Sequence, residues 1–128
     1  MAEVHVTKQV AVAPDELWRK IGDFHGIDRW MPNAQPTEAV NDGKARRFDL
    51  GTTALVEELV EEGNAWYTYR ITEAGPLPVE NYEATLKVSS SGNGSVVTWD
   101  AKFDPRGVDE SQAVAIITGI FENGLSGL

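Results

Sequence analysis

Two adjacent glutamates in an apolar stretch are the residues of this chain best suited to acid/base chemistry. If residues 55–60 (LVEELV) form a β-strand, their side chains point alternately to opposite sides, and Glu57 shares a side with Leu55 and Leu59. Glu58 then points the other way. A carboxylate on the inner side must be hydrogen-bonded, ion-paired or protonated, because an isolated buried charge is too costly for a folded domain. The pattern therefore predicts an inward carboxylate at Glu57 or Glu58, unless the hairpin is exposed and both acids lie in water.

An arginine in the preceding strand could supply the partner that such a carboxylate needs. In the run ARRFDL, Arg46 lies on the same side as Phe48 and Leu50. Arg46 and the inward glutamate could form an acid/base site. They could equally form a buried ion pair that only satisfies itself.

The composition excludes several classes of function. Twenty acidic residues against eleven basic ones give a net charge of −9, with a pI near 4.6, which opposes binding to nucleic acid or to anionic lipid surfaces. No stretch approaches the roughly 18 apolar residues of a membrane span, so we expect no membrane insertion. Cysteine is absent and His5 and His25 are far apart, so we expect neither a disulfide nor a metal site. The first residues show no basic region followed by an apolar run, and the expected compartment is the cytoplasm.

The amino-terminal part predicts one strand and two short helices. Valines at every second position over 4–12, interrupted only by Lys8, are typical of a strand. Pro14 suits the first turn of a helix, and apolar residues then recur at helical spacing as far as Phe24, which predicts about three turns. Residues 25–32 hold one more helical turn, closed by a proline.

From residue 36 onward the pattern changes to short strands separated by glycine turns. The spacing favours antiparallel hairpins, because a parallel connection needs a dozen or more crossover residues. One face of the later strands is apolar and the other is polar, as expected for a sheet with one wet face. From Asp109 or Ser111 a long apolar helix is predicted to run to Leu125 and to cover the dry face. The predicted strands are 36–41, 44–50, 53–62, 65–74, 79–89 and 95–104.

Three local features have more than one explanation. Gly119 interrupts the long helix, where close packing, mere tolerance or a hinge would account for it. Trp66 falls on the wet face, where it could cover a hairpin or mark a dimer contact. Asp23 and His25 could form an acid/base pair, but solvated groups at a helix end are the favoured interpretation.

The order of one strand, two short helices, six strands and a long helix resembles the START-like (SRPBCC) helix-grip superfamily. The runs APDELWRKIGDFHGIDRWMP, GKARRF, VEELVEEGNAWYTYRI, GPLPVENYEATLKV and SVVTWDAKFDP are similar to its polyketide cyclase/dehydrase-like branch, which includes proteins similar to lachrymatory-factor synthase. The resemblance implies an α+β fold, in which a strongly curved seven-stranded antiparallel sheet wraps around the long C-terminal helix. It also implies a single helix-grip domain over residues 1–128.

The resemblance further implies a hydrophobic cavity between the sheet and the long helix, with a few polar groups inside it. The family pattern places its arginine at Arg46, its glutamate at Glu57 and its tyrosine at Tyr82, which makes these three the catalytic candidates. The strand alternation agrees with this assignment, and the agreement of the two favours Glu57 over Glu58. We expect no cofactor. The candidate ligand-binding residues are Trp30, Phe48, Leu59, Tyr67, Tyr69, Leu86, Trp99, Ile117 and Phe121.

Two functions from different classes fit this site. A cofactor-independent cyclase, dehydratase or isomerase would use Glu57 as general acid or base, with Arg46 and Tyr82 stabilising charge. A carrier or sensor would use the same groups to orient the polar end of a small hydrophobic, lipid-like or polyketide-like ligand. A weaker alternative is an accessory protein without a sizeable cavity. Burial raises the pKa of a carboxylate and a nearby arginine lowers it, so the sequence leaves the charge of Glu57 open.

The chain is expected to be a monomer or a homodimer.

Overall fold

A computed structural model describes residues 2–32, 34, 36–49 and 54–128. Two α-helices, a 3-10 helix and seven strands make up this part of the chain. The strands are β1 (Ala2–Val10), β2 (Glu38–Val40), β3 (Ala45–Asp49), β4 (Ala54–Gly63), β5 (Trp66–Glu73), β6 (Val79–Ser91) and β7 (Gly94–Pro105). The helices are α1 (Pro14–Ile21), the 3-10 helix (Phe24–Arg29) and α2 (Glu110–Leu125). Neither helix is long and apolar enough to cross a membrane among these residues.

The strands form one antiparallel sheet in the order β1-β7-β6-β5-β4-β3-β2. The curved sheet and the C-terminal helix α2 form a helix-grip fold of the α+β class, which confirms the predicted fold class. Leu50 and Thr53, which the predicted strands include, lie outside the described residues. The remaining predicted strands fall within one or two residues of the observed bounds, except that β2 covers only three residues.

The core lies between the concave face of the sheet and α2. Alternate residues of β5, β6 and β7 point inward, as their pattern predicted, and α2 buries Ala113, Ile117, Phe121 and Leu125 against them. The rings of Trp99 and Phe121 stack with centroids 4.1 Å apart. Aromatic contact of this kind fixes α2 on the sheet in addition to the burial of its apolar stripe.

The amino-terminal elements differ slightly from the prediction. β1 ends at Val10 rather than at Val12, because the Val12 carbonyl leaves the sheet and accepts a hydrogen bond from Ser95 Oγ. α1 has eight residues, hence about two turns rather than three. The second helical turn is the 3-10 helix, and the Asp23 carboxylate caps it by accepting from the backbone N–H of His25. Asp23 therefore serves a helix end, as favoured from the sequence.

Both ends of α2 are held by side chains. Asp109 accepts from the backbone N–H of Gln112, and the Gln112 side chain bonds back to the Asp109 N–H, which forms a capping box. At the other end, Lys8 Nζ donates to the carbonyls of Leu125 and Leu128. A cation at this position also offsets the negative end of the helix dipole.

Two irregularities in the pairing of β4 with β5 break the simple alternation along β4. Leu55, Val56 and Glu57 are all buried in succession, and the register shifts between Val56 and Glu57 and again between Leu59 and Glu61. Val60 is the extra residue of the second shift and is exposed. The predicted equivalence of Val56 and Val60 on one face is therefore wrong.

The structure excludes one explanation for Gly119 and supports one explanation for Trp66. A Cβ added at Gly119 would meet no atom within 4 Å, so close packing does not account for this glycine. The indole of Trp66 lies directly over Gly63, so Trp66 covers the β4–β5 hairpin.

Candidate functional site

Arg46 and Glu57 face each other across neighbouring strands on the inner side of the sheet. They are directly opposite in the β3–β4 register, and both are buried. Arg46 Nε donates to Glu57 Oε1 over 2.9 Å. Nη2 lies 2.7 Å from the same oxygen, but its hydrogens are not aligned with it, so this contact is electrostatic. Glu58 points to the opposite face and pairs with Arg70 over 2.5 Å, so Glu57 is the inward carboxylate.

Aromatic rings and a helix carbonyl hold the Arg46 guanidinium in place. Nη1 donates to the Phe24 carbonyl over 2.6 Å and to the Tyr67 hydroxyl over 3.3 Å. The guanidinium carbon lies 4.1 Å from the ring centre of Phe24 and 5.0 Å from that of Tyr69. Contacts between a desolvated cation and ring faces are favourable. The 3-10 helix, which supplies Phe24, is therefore part of the structure that positions Arg46.

Burial affects the two partners of the ion pair differently. Burial alone would lower the pKa of the Arg46 guanidinium. The nearby Tyr67 and Glu57 raise this pKa by more than burial lowers it, so the group remains cationic. Burial raises the pKa of the Glu57 carboxyl above its ordinary value of 4.5, and the charge and hydrogen bond of Arg46 offset only part of this rise. A guanidinium cannot give up its proton, whereas a carboxylate can accept one, so the desolvation of the pair is relieved at Glu57. The Glu57 carboxylate consequently takes up a proton at a higher pH than an exposed glutamate does.

A chain of hydrogen bonds lies beside this pair. Trp99 Nε1 donates to the Tyr69 hydroxyl over 3.0 Å, and the hydroxyls of Tyr69 and Tyr82 are 3.3 Å apart. The ring of Tyr82 stacks on Phe103 with centroids 6.0 Å apart. Burial raises the pKa of both tyrosines, so both hydroxyls are neutral at physiological pH.

A cavity between the sheet and α2 brings Glu57, Tyr69, Tyr82 and Trp99 together. Apart from these four, its lining is apolar. Its free volume is about 20 Å³, which is room for a single water molecule. The lining consists of Ile27, Met31, Phe48, Leu55, Glu57, Tyr69, Ile71, Leu77, Tyr82, Trp99, Ile117, Ile120 and Phe121.

The sequence-predicted site residues divide into those that line this cavity and those that do not. Among the ligand-binding candidates, the lining includes Phe48, Tyr69, Trp99, Ile117 and Phe121. Two candidates are core residues outside it, since Trp30 packs on Trp99 at 5.8 Å and Leu86 is fully buried within the sheet. Arg46 also lies outside the lining and reaches the cavity through Glu57.

Two further ligand-binding candidates, Leu59 and Tyr67, line a separate cleft. This cleft has a free volume of about 330 Å³ and also includes Trp18, Asp23 and His25. Among the residues that the structure describes, no three histidine or acidic side chains come close enough together to hold a metal ion.

Sequence reasoning did not name several residues that line the cavity. Ile71 and Ile120 carried a usable signal, since periodicity placed both on apolar faces. Ile27 and Met31 belong to the segment around the 3-10 helix, whose orientation no periodic pattern gives. Leu77 lies in the GPLP turn, where its contact with the cavity depends on the path of the loop.

Comparison with known proteins places this geometry in a family. The fold and the buried site define a START-like helix-grip protein. The family described as "Polyketide cyclase / dehydrase and lipid transport" matches residues 1–128, and the chain belongs to this family. A search among curated proteins found no match.

Solved structures agree with this assignment. The chain is similar to the protein XoxI from Bacillus cereus, with 27% identity and a TM-score of 0.93, over 99% of this chain and 92% of that one. It is also similar to a solution NMR structure from Thermobifida fusca, with 30% identity and a TM-score of 0.87, over 100% and 91% of the two chains. The di-domain ARO/CYC BexL from the BE-7585A biosynthetic pathway shares the fold, with 18% identity and a TM-score of 0.76, over 100% of this chain and 44% of BexL.

Proposed function

We propose that this protein binds a small, largely apolar carbonyl compound in the cavity between sheet and helix, and that Glu57 moves a proton on it. One observation carries the proposal. Glu57 Oε1 is engaged by Arg46, whereas Oε2 accepts no hydrogen bond from the described residues, and the side chain lines an apolar cavity. A desolvated carboxylate with one free oxygen and a raised pKa is suited to general acid/base catalysis.

We expect the protein to act in the cytoplasm.

The step that this geometry supports is proton abstraction next to a carbonyl. The C–H bond breaks, its proton goes to Glu57 Oε2, and its electron pair forms the carbon–carbon double bond of an enolate. The negative charge moves from Glu57 to the carbonyl oxygen of the ligand, where Tyr82 can donate a hydrogen bond. Arg46 stays cationic, so the site keeps the same net charge throughout. Enolisation of this kind is the first half of a cyclisation, a dehydration or an isomerisation.

The ligand must displace side chains from the cavity as it stands, because a free volume of about 20 Å³ holds no more than a water molecule. Three lining residues, Ile71, Leu77 and Ile120, are only partly buried. They are flexible aliphatic groups at the outer rim of the cavity. We therefore expect the ligand to enter between β5, the loop before β6, and α2.

A non-catalytic carrier is the second candidate, and one observation favours it. Arg46 and Glu57 already form an ion pair with each other, and the aromatic contacts around Arg46 do not depend on a ligand. In a carrier the pair would only orient the polar end of the bound molecule. Glu57→Gln would then leave ligand affinity nearly unchanged, and no bond to hydrogen would be made or broken.

Hydrogen–deuterium exchange of a small ketone distinguishes the two functions. The probe is 1-indanone in D2O, and NMR follows the loss of the hydrogens beside its carbonyl. The wild-type protein should accelerate exchange over buffer, and Glu57→Gln should reduce the rate by about 100-fold or more, the usual contribution of a general base. Glu58→Gln is the matched control, because it removes the neighbouring exposed carboxylate, and it should stay within twofold of wild type.

Thermal shift and circular dichroism, recorded for each variant, verify folding and ketone binding. Acceleration that is lost only in Glu57→Gln supports the catalytic proposal. Binding of 1-indanone without accelerated exchange would favour the carrier. Equal exchange rates in wild type and Glu57→Gln would contradict a role for Glu57 in proton transfer.

A further inference from the structure

We propose that Trp99 and Tyr69 are positioning residues that aim the hydroxyl hydrogen of Tyr82 into the cavity, toward the carbonyl oxygen of the ligand. This inference rests on the proposed function and deepens it. It assigns a direction to the hydrogen-bond chain from Trp99 through Tyr69 to Tyr82. It also limits the polar groups that a ligand can use.

The direction of the chain begins at the indole, because an indole N–H can only donate. Trp99 Nε1 points its hydrogen at the Tyr69 oxygen over 3.0 Å. The Tyr69 hydroxyl must therefore point its own hydrogen away from Trp99, and the Tyr82 oxygen lies 3.3 Å from the Tyr69 oxygen. Tyr69 is only 1% exposed, and among the described residues the Tyr82 hydroxyl is the acceptor within its reach. A buried donor without an acceptor costs about 1–3 kcal/mol, so Tyr69 donates to Tyr82.

The electrostatics of the two hydroxyls agree with this order. The hydrogen bond between them raises the pKa of Tyr69, which is the effect on a donor. The same bond lowers the pKa of Tyr82, which is the effect on an acceptor, although burial keeps the net pKa of Tyr82 raised. A hydroxyl that accepts a hydrogen bond also becomes a better donor, because linked hydrogen bonds polarise each other.

The consequence for the ligand is a restricted pattern of polar contacts. The Trp99 N–H and the Tyr69 O–H both donate within the hydrogen-bond chain and are not available to a ligand. Tyr82 therefore supplies the hydrogen-bond donor of the cavity lining, and Glu57 supplies the acceptor. The remaining lining is apolar. The matching substrate class is a carbonyl compound with an acidic C–H on the adjacent carbon and few other polar groups.

A measurement on the ligand-free protein tests the direction of the chain. The sequence has three tyrosines, so protein labelled with ¹³C at tyrosine Cζ gives three signals, which the three single Tyr→Phe variants assign. In an equal mixture of H2O and D2O, a hydroxyl whose hydrogen exchanges slowly splits its Cζ signal. The signal of Tyr69 should be split and that of Tyr82 should be single. The reverse order, or equal behaviour of both, would overturn the inference.

The exchange assay with 1-indanone tests the positioning role. Tyr82→Phe should lower kcat by about 100-fold, as expected when one donor to a developing oxyanion is removed. Tyr69→Phe should lower kcat by about tenfold and leave KM within twofold, because the donor remains but is no longer aimed. A Tyr69→Phe variant that is only less stable, with kcat unchanged, would overturn the positioning role.

The control for these variants is Thr68→Val, which removes a hydroxyl from the outer face of the same strand, where Thr68 bonds to Thr85 over 2.7 Å. Its kcat should stay within twofold of wild type. The two experiments separate the two proposals. If the wild-type protein accelerates no exchange, the proposed function fails, and the Cζ measurement still decides the direction of the hydrogen-bond chain.

Discussion

Arg46 and Glu57 form one ion pair, but they respond differently to the loss of the partner. Glu57 can become neutral by taking up a proton, and burial already raises its pKa. Arg46 cannot become neutral, because a guanidinium keeps its proton at any ordinary pH. Loss of Glu57 and loss of Arg46 should therefore change the free energy of unfolding by different amounts, although the two side chains are buried to a similar extent.

This asymmetry predicts the effect of removing each partner on the free energy of unfolding. Glu57→Gln leaves a buried cation without a counter-charge and should destabilise the protein by about 3–5 kcal/mol. Arg46→Met should cost less, because the remaining carboxyl takes up a proton and the methionine fills the aromatic pocket. Urea unfolding at pH 7 measures both variants. Equal losses, or a larger loss for Arg46→Met, would contradict this account.

Arg46→Met should also change how stability depends on pH. Without the arginine, the pKa of Glu57 in the folded state rises further above 4.5, whereas in the unfolded state it stays ordinary. The folded state then binds the proton more tightly, so stability is complete below about pH 4.5 and is lost as the pH rises through the folded-state pKa. Melting temperatures from pH 4 to pH 8 should fall more steeply for Arg46→Met than for wild type. Parallel curves would rule out a buried, titratable Glu57.

The helix α2 contains two glycines with opposite structural roles. A Cβ at Gly119 would meet nothing within 4 Å, whereas a Cβ at Gly124 would lie 2.9 Å from Trp99 Cζ3. Gly119→Ala should therefore stabilise the protein by up to about 1 kcal/mol, the difference in helix propensity. Gly124→Ala should destabilise it, because the added methyl group must push the indole out of its stack with Phe121. Urea unfolding of the two variants provides a matched pair, and equal signs would be inconsistent with this packing.

The strands show how far alternation can predict a site. The period-two pattern placed Arg46 and Tyr82 on the inner face, because a half-buried sheet forces a choice of side on each residue. It left Glu57 and Glu58 as alternatives for the inward carboxylate, and only its agreement with the family resemblance favoured Glu57. The pattern failed after Leu59, where the shift between Leu59 and Glu61 leaves Val60 exposed. Such shifts depend on pairing with β5 and have no signature within β4 itself. The hydrogen-bond chain from Trp99 to Tyr82 also joins three strands, and its hydroxyl distances follow only from their assembled positions.

At the scale of the whole molecule, all three tyrosines of the chain belong to the buried site. Burial raises the pKa of Tyr67, Tyr69 and Tyr82 above the ordinary value of 10.0. The folded state therefore holds these protons more tightly than the unfolded state, and stability is lost as the pH rises above about 10. Tyrosinate absorbance should appear together with the loss of circular dichroism in an alkaline titration. Absorbance that rises while the protein remains folded would show that a tyrosine is exposed.

The cavity volume is the property of the whole molecule that the sequence could not give. The resemblance implied a hydrophobic cavity, and its free volume is only about 20 Å³, with the large rings of Trp99, Phe121, Tyr69 and Tyr82 in its lining. Volume depends on the positions of side chains on seven separate helices and strands, so small shifts of α2 change it strongly. A ligand that binds here should therefore raise the melting temperature and alter the environment of α2, since it must replace contacts that already exist.

The central claim is that Glu57 exchanges a proton with a ligand in the cavity, and the pH dependence of 1-indanone exchange tests it most directly. A general base acts only when ionised, so the catalysed rate should rise with pH through the raised pKa of Glu57, with a midpoint above 4.5. Glu58→Gln should keep the same profile, and Glu57→Gln should lose it. A catalysed rate that is independent of pH between 4 and 8, or a profile that survives in Glu57→Gln, would contradict the claim.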